Sequence, residues 1–317
     1  MSQIEQMPEP ALEGGGMGSG GGEAAIQTVG LTKRFRRVLA VDGVDLTVPR
    51  GKTYGLIGLN GAGKSTAIRL LVGLEVPTSG RCLLGGMDVQ VERLKWKNMV
   101  GFVPDRPTAY PWMRAGEVLK FAQALRPHWN SELVDRLVKK SRIDLGQKVG
   151  KLSKGTGAKL MLILALAHDP EILILDEPTD GLDPIAREEF CEDVLTSICQ
   201  RPRTVLLSSH ALTDVGKMVE IVGVMHKGRL IVQCPTEELV DTTKRIRSVL
   251  PDGGVPQPPA GTVYSKVEGR EWVLTVRGCT RTTVEKVQAG GIRTVEVVDL
   301  NLEEVFKDIV RGQEVAA

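Results

Sequence analysis

The sequence reads Gly58-Leu59-Asn60-Gly61-Ala62-Gly63-Lys64-Ser65 directly after a short, mostly apolar run at 54–57. This stretch fits the pattern G-x-x-x-x-G-K-[ST] at every fixed position, and a helical stretch is predicted after it over 66–72. The glycines let a backbone wrap closely round phosphate oxygens, and the N–H groups at the start of a helix add partial positive charge. The stretch therefore predicts a phosphate-binding loop between a strand and a helix, which is the context that the pattern requires.

The positions of this phosphate loop have separate predicted roles. Lys64 is expected to reach the β- and γ-phosphates of a nucleotide, and Ser65 is expected to ligate Mg²⁺ through its hydroxyl. The other positions expected to line the nucleotide are Gly58, Leu59, Asn60, Gly61, Ala62, Gly63 and Thr66. A glycine-rich turn that precedes Lys-Ser by chance is the alternative, but pattern and context agree. The pattern does not identify the reaction, because GTPases, nucleotide kinases and many ATPases share it.

Two acidic residues follow a second strand pattern. The apolar run 172–175 is typical of a buried parallel strand, and Asp176 and Glu177 come directly after it. Because the end of a strand in an open α/β sheet points at the ligand crevice, both side chains are expected to face the phosphate loop. Asp176 is expected to hold Mg²⁺, and Glu177 is expected to orient and polarise the attacking water as a general base. A pair of solvated charges at a strand end is the alternative.

The order of the remaining patterns predicts the α/β fold class. β-branched residues with partial alternation over 38–48, and a second run at 204–208, indicate strands. Helical spacing occurs over 118–125 and 132–140, and the stretch 159–167 is apolar nearly all round, as in a buried helix. Strands that alternate with helical stretches imply a mainly parallel sheet.

Composition divides the chain into three predicted parts. Gly, Glu and Ser dominate the N-terminal segment, and residues 1–25 are expected to be disordered because they cannot bury apolar surface. A nucleotide-binding domain is expected over 26–240, and a small α+β domain over 241–317, which includes a Pro- and Gly-rich linker. In this last part, two strands are expected to form a hairpin round Gly269, and Asn301 is expected to cap a final helix with a capping box.

Bulk composition excludes several classes of protein. Lys plus Arg number 41 and Asp plus Glu number 39, so the charge balance gives no support to a large nucleic-acid surface. The five cysteines are odd in number and contain no CxxC pair, which argues against a disulfide framework and a zinc site. The longest apolar runs are shorter than the ~20 residues that a membrane-spanning helix needs. A membrane role is therefore expected to come through a partner chain.

A short segment just before the acidic strand resembles a known motif. It reads Leu152-Ser153-Lys154-Gly155-Thr156 and looks like a variant of the LSGGQ motif of ABC ATPases. The resemblance to this family covers about residues 26–238. It implies a P-loop ABC cassette with a mainly parallel sheet core, an antiparallel β subdomain and a helical subdomain. It also implies that Ser153 and Gly155 contact the γ-phosphate bound to an opposite subunit, while Lys154 replaces a glycine and Thr156 replaces the usual glutamine.

Other positions match further motifs of the family. The stretch 178–184 resembles the D-loop, in which the resemblance implies that Asp183 reaches across a dimer. His210 follows a predicted strand as the switch histidine does, which implies contact with the γ-phosphate. Phe35 matches the aromatic residue that stacks on adenine, with Val41 beside the same ring, and a core phenylalanine is the alternative. Asp105 stands where the family has a Mg²⁺-ligating glutamine, and its carboxylate offers the oxygen ligands that Mg²⁺ prefers.

The motifs together look most like single-cassette bacterial ATPases of the drug, antibiotic or polysaccharide export branch. The resemblance implies ATP and Mg²⁺ as cofactors, a second copy as the ATP-binding partner, and transmembrane permease subunits that hold the chain at the inner face of the cell membrane. No nucleic-acid partner is expected. The stretch 110–113 is expected either to contact the permease or to pack locally in the core.

Two other functions stay open at this point. A soluble ABC ATPase of translation or repair is the first, although such proteins usually carry two cassettes or long insertions that this chain lacks. A regulatory nucleotide-binding module with little hydrolysis is the second, suggested by the departures at Asp105, Lys154 and Thr156.

Overall fold

The computed structural model describes residues 23–315 except 93, 107–108, 211–215, 217, 252–254 and 289–291. The described chain divides into two compact units, one that ends at Gln233 and one that begins at Cys234. Of the segment 1–25, residues 1–22 lie outside the described part. Residues 24 and 25 were expected to be disordered with the rest of that segment, and this is wrong: the first strand begins at Ala24, which pairs with Pro49, and Ala25 is buried.

The first unit contains strands and helices that mostly alternate along the chain. Its strands are β1 (Ala24–Phe35), β2 (Val38–Val44), β3 (Thr47–Pro49), β4 (Thr53–Ile57), β5 (Ser79–Leu84), β6 (Met87–Asp88), β7 (Val100–Val103), β8 (Ile172–Leu175), β9 (Thr204–Ser209), β10 (Ile221–His226) and β11 (Arg229–Pro235). Its helices are α1 (Lys64–Leu71), α2 (Ala115–Ala124), α3 (Ser131–Lys140), α4 (Lys154–Leu166) and α5 (Pro184–Gln200). The helix predicted over 159–167 begins earlier, because Ser153 caps it.

The central sheet confirms the predicted mainly parallel core. Its strand order is β11-β10-β4-β9-β8-β7, and β10, β4, β9, β8 and β7 run parallel. Leu175 pairs with Leu207, and Ile57 pairs with Ser209, so the ends of β4, β8 and β9 meet at one edge of the sheet. Since ligands of open α/β sheets bind outside the carboxyl ends of the strands, this edge is where a site is expected.

An antiparallel sheet flanks the core, as predicted. Its order is β2-β1-β5-β6, with β3 paired to β1. One hydrophobic cluster joins the two sheets and α1, and it includes Ile26 and Leu31 of β1, Leu56 of β4, Ile68 of α1 and Ile174 of β8. Burial of each such side chain contributes about 1.5–3 kcal/mol. This cluster fixes the position of α1, and with it the phosphate loop that precedes α1.

The apolar side chains of α4 are mostly buried against neighbouring elements. This helix packs against β7, α3 and α5, and its buried side chains include Leu160, Leu162 and Leu166. Strand β8 is buried along its whole length, which explains its continuous apolar run. Among the described residues, every helix is too short or too polar to span a lipid bilayer.

The second unit is a small α+β domain. It contains β12 (Lys244–Val249), β13 (Thr262–Glu268), β14 (Glu271–Val276), β15 (Arg293–Asp299), α6 (Thr236–Thr242), α7 (Arg281–Gln288) and α8 (Leu302–Val315). The strands form an antiparallel sheet of order β13-β14-β12-β15. The predicted hairpin round Gly269 is confirmed as the β13–β14 pair. Asn301 and Glu304 form the predicted capping box through two hydrogen bonds of 3.0 Å.

Candidate nucleotide-binding site

The phosphate loop connects β4 to α1 and lies tightly against two other strands. Gly63 has a φ of +105°, and a Cβ there would lie 2.4 Å from the carbonyl oxygen of Ala40. A Cβ on Gly58 would lie 2.5 Å from the carbonyl oxygen of Met225. Only glycine fits at these two positions, because any side chain would collide with the backbone of β2 or β10.

A cavity of about 310 Å³ lies against this loop. Most of the predicted loop positions line it: Asn60, Gly61, Ala62, Gly63, Lys64, Ser65 and Thr66. Gly58 and Leu59 do not line it. Their carbonyl oxygens accept hydrogen bonds from the ammonium of Lys64 at 2.7 and 3.2 Å, so both residues hold the lysine that faces the cavity.

Lys64 and Glu177 form a buried ion pair. Lys64 is the first residue of α1 and is only 4% exposed. Its ammonium nitrogen lies 3.0 Å from Oε1 of Glu177. A buried charge requires a partner of opposite sign, and each of these residues provides one for the other. The structure thus brings together the predicted phosphate-binding cation and the predicted general base.

Ser208 connects both acidic residues to strand β9. Its hydroxyl donates to Oδ1 of Asp176 at 2.8 Å and accepts from the backbone N–H of Glu177 at 2.8 Å. Ser65 donates to the same Oδ1 at 3.0 Å. Glu177 has a φ of +46°, which is uncommon for a residue with a side chain, and the bond to Ser208 holds it there. Ser208 was not predicted as a site residue, although its place at the end of a predicted strand is a signal for it.

Asp176 is a buried carboxyl group among other oxygen atoms. It is 1% exposed, and burial raises its pKa above the ordinary value. The hydrogen bonds from Ser208 and Ser65 lower the pKa of Asp176, whereas the charges of Asp105 and Glu177 raise it further. A cation beside this carboxylate would offset the unfavourable burial. Carboxylate and hydroxyl oxygens are the ligands that Mg²⁺ prefers, so the residues present fit this metal.

We expect Asp176→Asn to stabilise the protein in the absence of metal. Because the folded pKa lies above the unfolded one, the folded state binds more protons, and the free energy of unfolding falls as pH rises between these two values. At neutral pH, which lies above the unfolded pKa, the buried carboxyl group therefore destabilises the metal-free fold, and a neutral amide removes that cost. Thermal unfolding without nucleotide or Mg²⁺ should show a Tm raised by about 2–4 °C, or about 1 kcal/mol.

Asp193→Asn is the matched control for this measurement. Asp193 is also buried, but the ammonium of Lys140 lies 2.6 Å from its carboxylate. Asparagine at this position cannot form the ion pair with Lys140, so the Tm of Asp193→Asn should fall. A Tm of Asp176→Asn that is unchanged or lowered in the same way contradicts the account of the buried charge.

His210 extends the chain of polar contacts from the ion pair. Its Nδ1 contacts Oε2 of Glu177, and its Nε2 lies 3.7 Å from Oδ1 of Asp180. His210 and Glu177 line a second cavity, of about 550 Å³, which we call the catalytic cleft. The other polar residues that line it are Asn60, Ser65, Asp105, Arg106, Lys154 and Asp180. The structure therefore places the predicted switch histidine beside the predicted general base.

Asp105 lies at the same edge of the sheet as the acidic pair. It follows β7, which pairs in parallel with β8, and it lines the catalytic cleft. Its carboxylate lies 3.7 Å from the guanidinium of Arg69 in α1. Its charge is close enough to raise the pKa of Asp176. The structure thus places this predicted Mg²⁺ ligand at the same edge of the sheet as Asp176.

The LSGGQ-like segment forms the start of α4. Ser153 caps the helix by accepting the backbone N–H of Thr156 at 3.1 Å, and the two hydroxyl oxygens lie 2.9 Å apart. Thr156 thus adds a second hydroxyl to the cap, which gives a physical reason for this residue. Ser153 and Gly155 do not line the catalytic cleft, whereas Lys154 does.

The starts of α4 and α5 lie side by side. Asp183 caps α5 by accepting the backbone N–H of Ala186 at 2.9 Å. A Cβ on Gly155 would lie 3.0 Å from the Cβ of Ala186, so a small residue suits this close approach. Two helix N-termini with their partial positive charge therefore meet in one place.

Phe35 lies at the end of β1 with an exposed ring. Its exposed fraction is 41%, so the core alternative is wrong, and the ammonium of Lys33 lies 4.7 Å from the ring centroid. The prediction for Val41 is also wrong: Val41 is wholly buried and pairs with Lys33, whereas Phe35 pairs with the exposed Val38. Successive side chains of β2 point to opposite faces, so Val41 faces the core and Val38 does not.

Known proteins resemble most of this chain. A family model described as ABC transporter matches residues 41–180. The bacitracin transport ATP-binding protein of Bacillus licheniformis is 34% identical over 216 residues, which cover 68% of this chain and 71% of that protein. The Nod factor export ATP-binding protein I of Burkholderia lata is 34% identical over 224 residues, which cover 69% of this chain and 73% of that protein.

Solved structures share the fold of about two thirds of this chain. A structure described as the ATP binding subunit of an ABC transporter has a TM-score of 0.62 at 26% identity, over 68% of this chain and 91% of that chain. A dimeric ATP-binding cassette in a post-hydrolysis state, bound to ADP and Pi, has a TM-score of 0.61 at 20% identity, over 67% of this chain and 98% of that chain. The second likeness concerns the fold alone.

Proposed function

The chain belongs to the ABC transporter family as an ATP-binding subunit and ATP hydrolase, and from this premise we propose that it powers a membrane exporter. Export is proposed because two relatives, each 34% identical, are named for bacitracin transport and Nod factor export. The sequence motifs, which resemble the export branch, support the same direction of transport.

The observation that carries the proposal is the chain of contacts from Lys64 through Glu177 to His210. In hydrolysis, the oxygen of water attacks the γ-phosphorus, the bond to the leaving ADP oxygen breaks, and the water loses a proton. An incoming γ-phosphate competes with Glu177 for Lys64, which frees the carboxylate to orient the water and accept its proton. His210 remains beside Glu177, where it contacts the γ-phosphate.

Mg²⁺ would be held by oxygen atoms of Ser65, Asp176 and Asp105. When bound, the metal neutralises charge on the β- and γ-phosphate oxygens. Ser208 keeps the Asp176 carboxylate in position, because it donates to Oδ1 from the neighbouring strand. The ring of Phe35 is exposed and available to stack on the adenine.

A second copy of this chain is the proposed ATP-binding partner. Ser153 and Gly155 lie outside the cleft that their own subunit's Glu177 lines. Head-to-tail pairing would place the N–H groups at the start of α4 on the γ-phosphate of the opposite subunit, because helix N-termini bind anions. Asp183, at the neighbouring helix start, would reach across the same interface.

An exposed aromatic patch is the proposed contact with the permease. It consists of Tyr110, Trp112, Phe121 and Leu125, which are 47–68% exposed. The rings of Tyr110 and Trp112 lie 5.1 Å apart, beside an apolar groove of about 760 Å³. Local core packing does not account for rings with this exposure, whereas a large exposed apolar patch is typical of a docking surface. Docking of this patch to a transmembrane permease would hold the chain at the inner face of the membrane.

Purification from membranes tests the proposed function. We expect the chain to copurify with a hydrophobic protein of several membrane spans and to release phosphate from ATP in the presence of Mg²⁺. A chain that releases phosphate but never associates with a membrane protein would favour the translation or repair type. A chain that copurifies with a membrane partner but releases no phosphate, alone or with that partner, would favour the regulatory module.

A further inference from the structure

Lys154 is a positive charge in an unfavourable position. It is the first residue of α4, directly after the Ser153 cap. A helix N-terminus carries partial positive charge, so a cation in the first turn is unfavourable unless an anion compensates it. Among the described residues, Lys154 forms no ion pair or hydrogen bond through its ammonium. Within the described part of the chain, this lysine therefore has no counter-charge.

The side chain of Lys154 lies in the catalytic cleft. It lines the cleft together with Ser65, Glu177 and His210. Its Nζ lies 2.8 Å from the point that a Cβ of Gly181 would occupy. Gly181 has a φ of +66° and no side chain, which leaves room for the lysine to lie across the D-loop. The ammonium is thereby placed among the groups proposed to carry out hydrolysis.

The acids of the cleft already have other partners. Glu177 contacts Lys64 and His210. Asp180 lies 3.7 Å from Nε2 of His210, and Asp105 lies 3.7 Å from the guanidinium of Arg69. Lys154 is therefore not the counter-ion of any of these carboxylates in the described part of the chain. A cation that lines the catalytic cleft without a carboxylate partner is suited to an anionic ligand.

We propose that Lys154 is a further catalytic residue, whose ammonium contacts the terminal phosphate of ATP during hydrolysis. This inference rests on the proposed function and adds a group to the same reaction. Negative charge on the phosphoryl oxygens and on the leaving oxygen must be stabilised in the transition state, and a preplaced cation does so without reorganisation. The ATP concerned is either the one in the same subunit or the one in its head-to-tail partner, and both offer the same phosphate chemistry.

Lys154→Met separates charge from packing. Methionine keeps most of the aliphatic stem that lies over Gly181 but removes the ammonium. We expect kcat for phosphate release to fall about tenfold with KM changed less than twofold, and orthovanadate to inhibit in the presence of ADP only at several-fold higher concentration. Lys154→Arg keeps the charge and should retain most of kcat.

Lys159→Met is the matched control. It removes the same charge from the same helix, but the ammonium of Lys159 contacts Glu189 and does not line the cleft. Its kcat should stay within twofold of the unmodified chain. If Lys154→Met also keeps its kcat and its vanadate inhibition while the unmodified chain hydrolyses ATP, this inference is wrong and the proposed function stands. If the unmodified chain releases no phosphate, the proposed function itself has failed.

A mixed dimer identifies which ATP Lys154 contacts. One subunit carries Lys154→Met and the other carries Lys64→Ala, so that only the first subunit's phosphate loop holds ATP. Two different affinity tags isolate this pair. Slow hydrolysis would show that Lys154 acts on the ATP of its own subunit. The reference is a dimer of one unmodified subunit and one Lys64→Ala subunit. If the mixed dimer hydrolyses ATP as fast as this reference while the Lys154→Met homodimer is slow, Lys154 acts on the ATP of the opposite subunit.

Discussion

Replacement of Lys64 by alanine is expected to lower the affinity for Mg²⁺-ATP by about 100-fold or more. Hydrogen bonds to charged groups contribute about 1.5–3 kcal/mol each, and a factor of 100 in Kd corresponds to about 2.7 kcal/mol. The substitution has a second effect, because Glu177 loses the cation that lies 3.0 Å from it. An unpaired carboxylate would then face the incoming γ-phosphate, and like charges would weaken binding further.

Titration calorimetry with ATP and Mg²⁺ measures this change directly. Lys52→Ala is the matched control, since Lys52 lies just before β4 whereas the phosphate loop follows that strand. The ammonium of Lys52 pairs with Glu220 at 2.6 Å, far along the strand from the loop, and its loss should leave ATP affinity unchanged. Unaltered affinity in Lys64→Ala, with the fold intact by thermal unfolding, would contradict the placement of ATP at this loop.

The sequence predicted those parts of the site whose residues are close to one another along the chain. Gly58, Gly63 and Lys64 act through a loop of eight successive residues, and the structure shows the close backbone approaches that require glycine there. Asp176 and Glu177 end a strand that is buried along its whole length, so the apolar run located them. In both cases the residues that define the pattern are neighbours in the chain.

The parts that the sequence did not predict depend on the register between strands. Ser208 bonds to Asp176 from β9, and that contact exists because β8 and β9 pair in parallel with Leu175 opposite Leu207. The family resemblance placed Val41 beside Phe35, and the partial alternation over 38–48 does not fix which residue of that stretch faces the core. The pairing of Phe35 with Val38 determines which residues of β2 face the core, and this pairing exists only in the folded hairpin.

The contacts of the candidate general base depend on what occupies the site. Glu177 has Lys64 on one carboxylate oxygen and His210 on the other. Both carboxylate oxygens of Glu177 are therefore in contact with another side chain, so at least one of these contacts must break before an oxygen can accept the proton of water. The γ-phosphate of ATP is an anion that competes for Lys64, and its arrival would couple binding at the phosphate loop to activation of the base.

Glu177→Gln is therefore expected to bind ATP and fail to hydrolyse it. Loss of a general base lowers rates by about 10²–10⁴-fold, while the amide keeps the size of the side chain and leaves Lys64 free for the phosphates. Because the cycle stops before hydrolysis, ATP should trap a dimer that gel filtration resolves from the nucleotide-free monomer.

Phosphate release and gel filtration with Mg²⁺-ATP measure both parts of this expectation. Glu171→Gln is the matched control, since Glu171 directly precedes β8, pairs with Arg50 and lies at the end of the strand opposite Glu177. It should hydrolyse ATP at the rate of the unmodified chain and form no lasting dimer. Hydrolysis by Glu177→Gln at the rate of this control would remove Glu177 from the role of general base. The proton of the attacking water would then have to pass to another group of the cleft, and His210 is the basic side chain already in contact with that position.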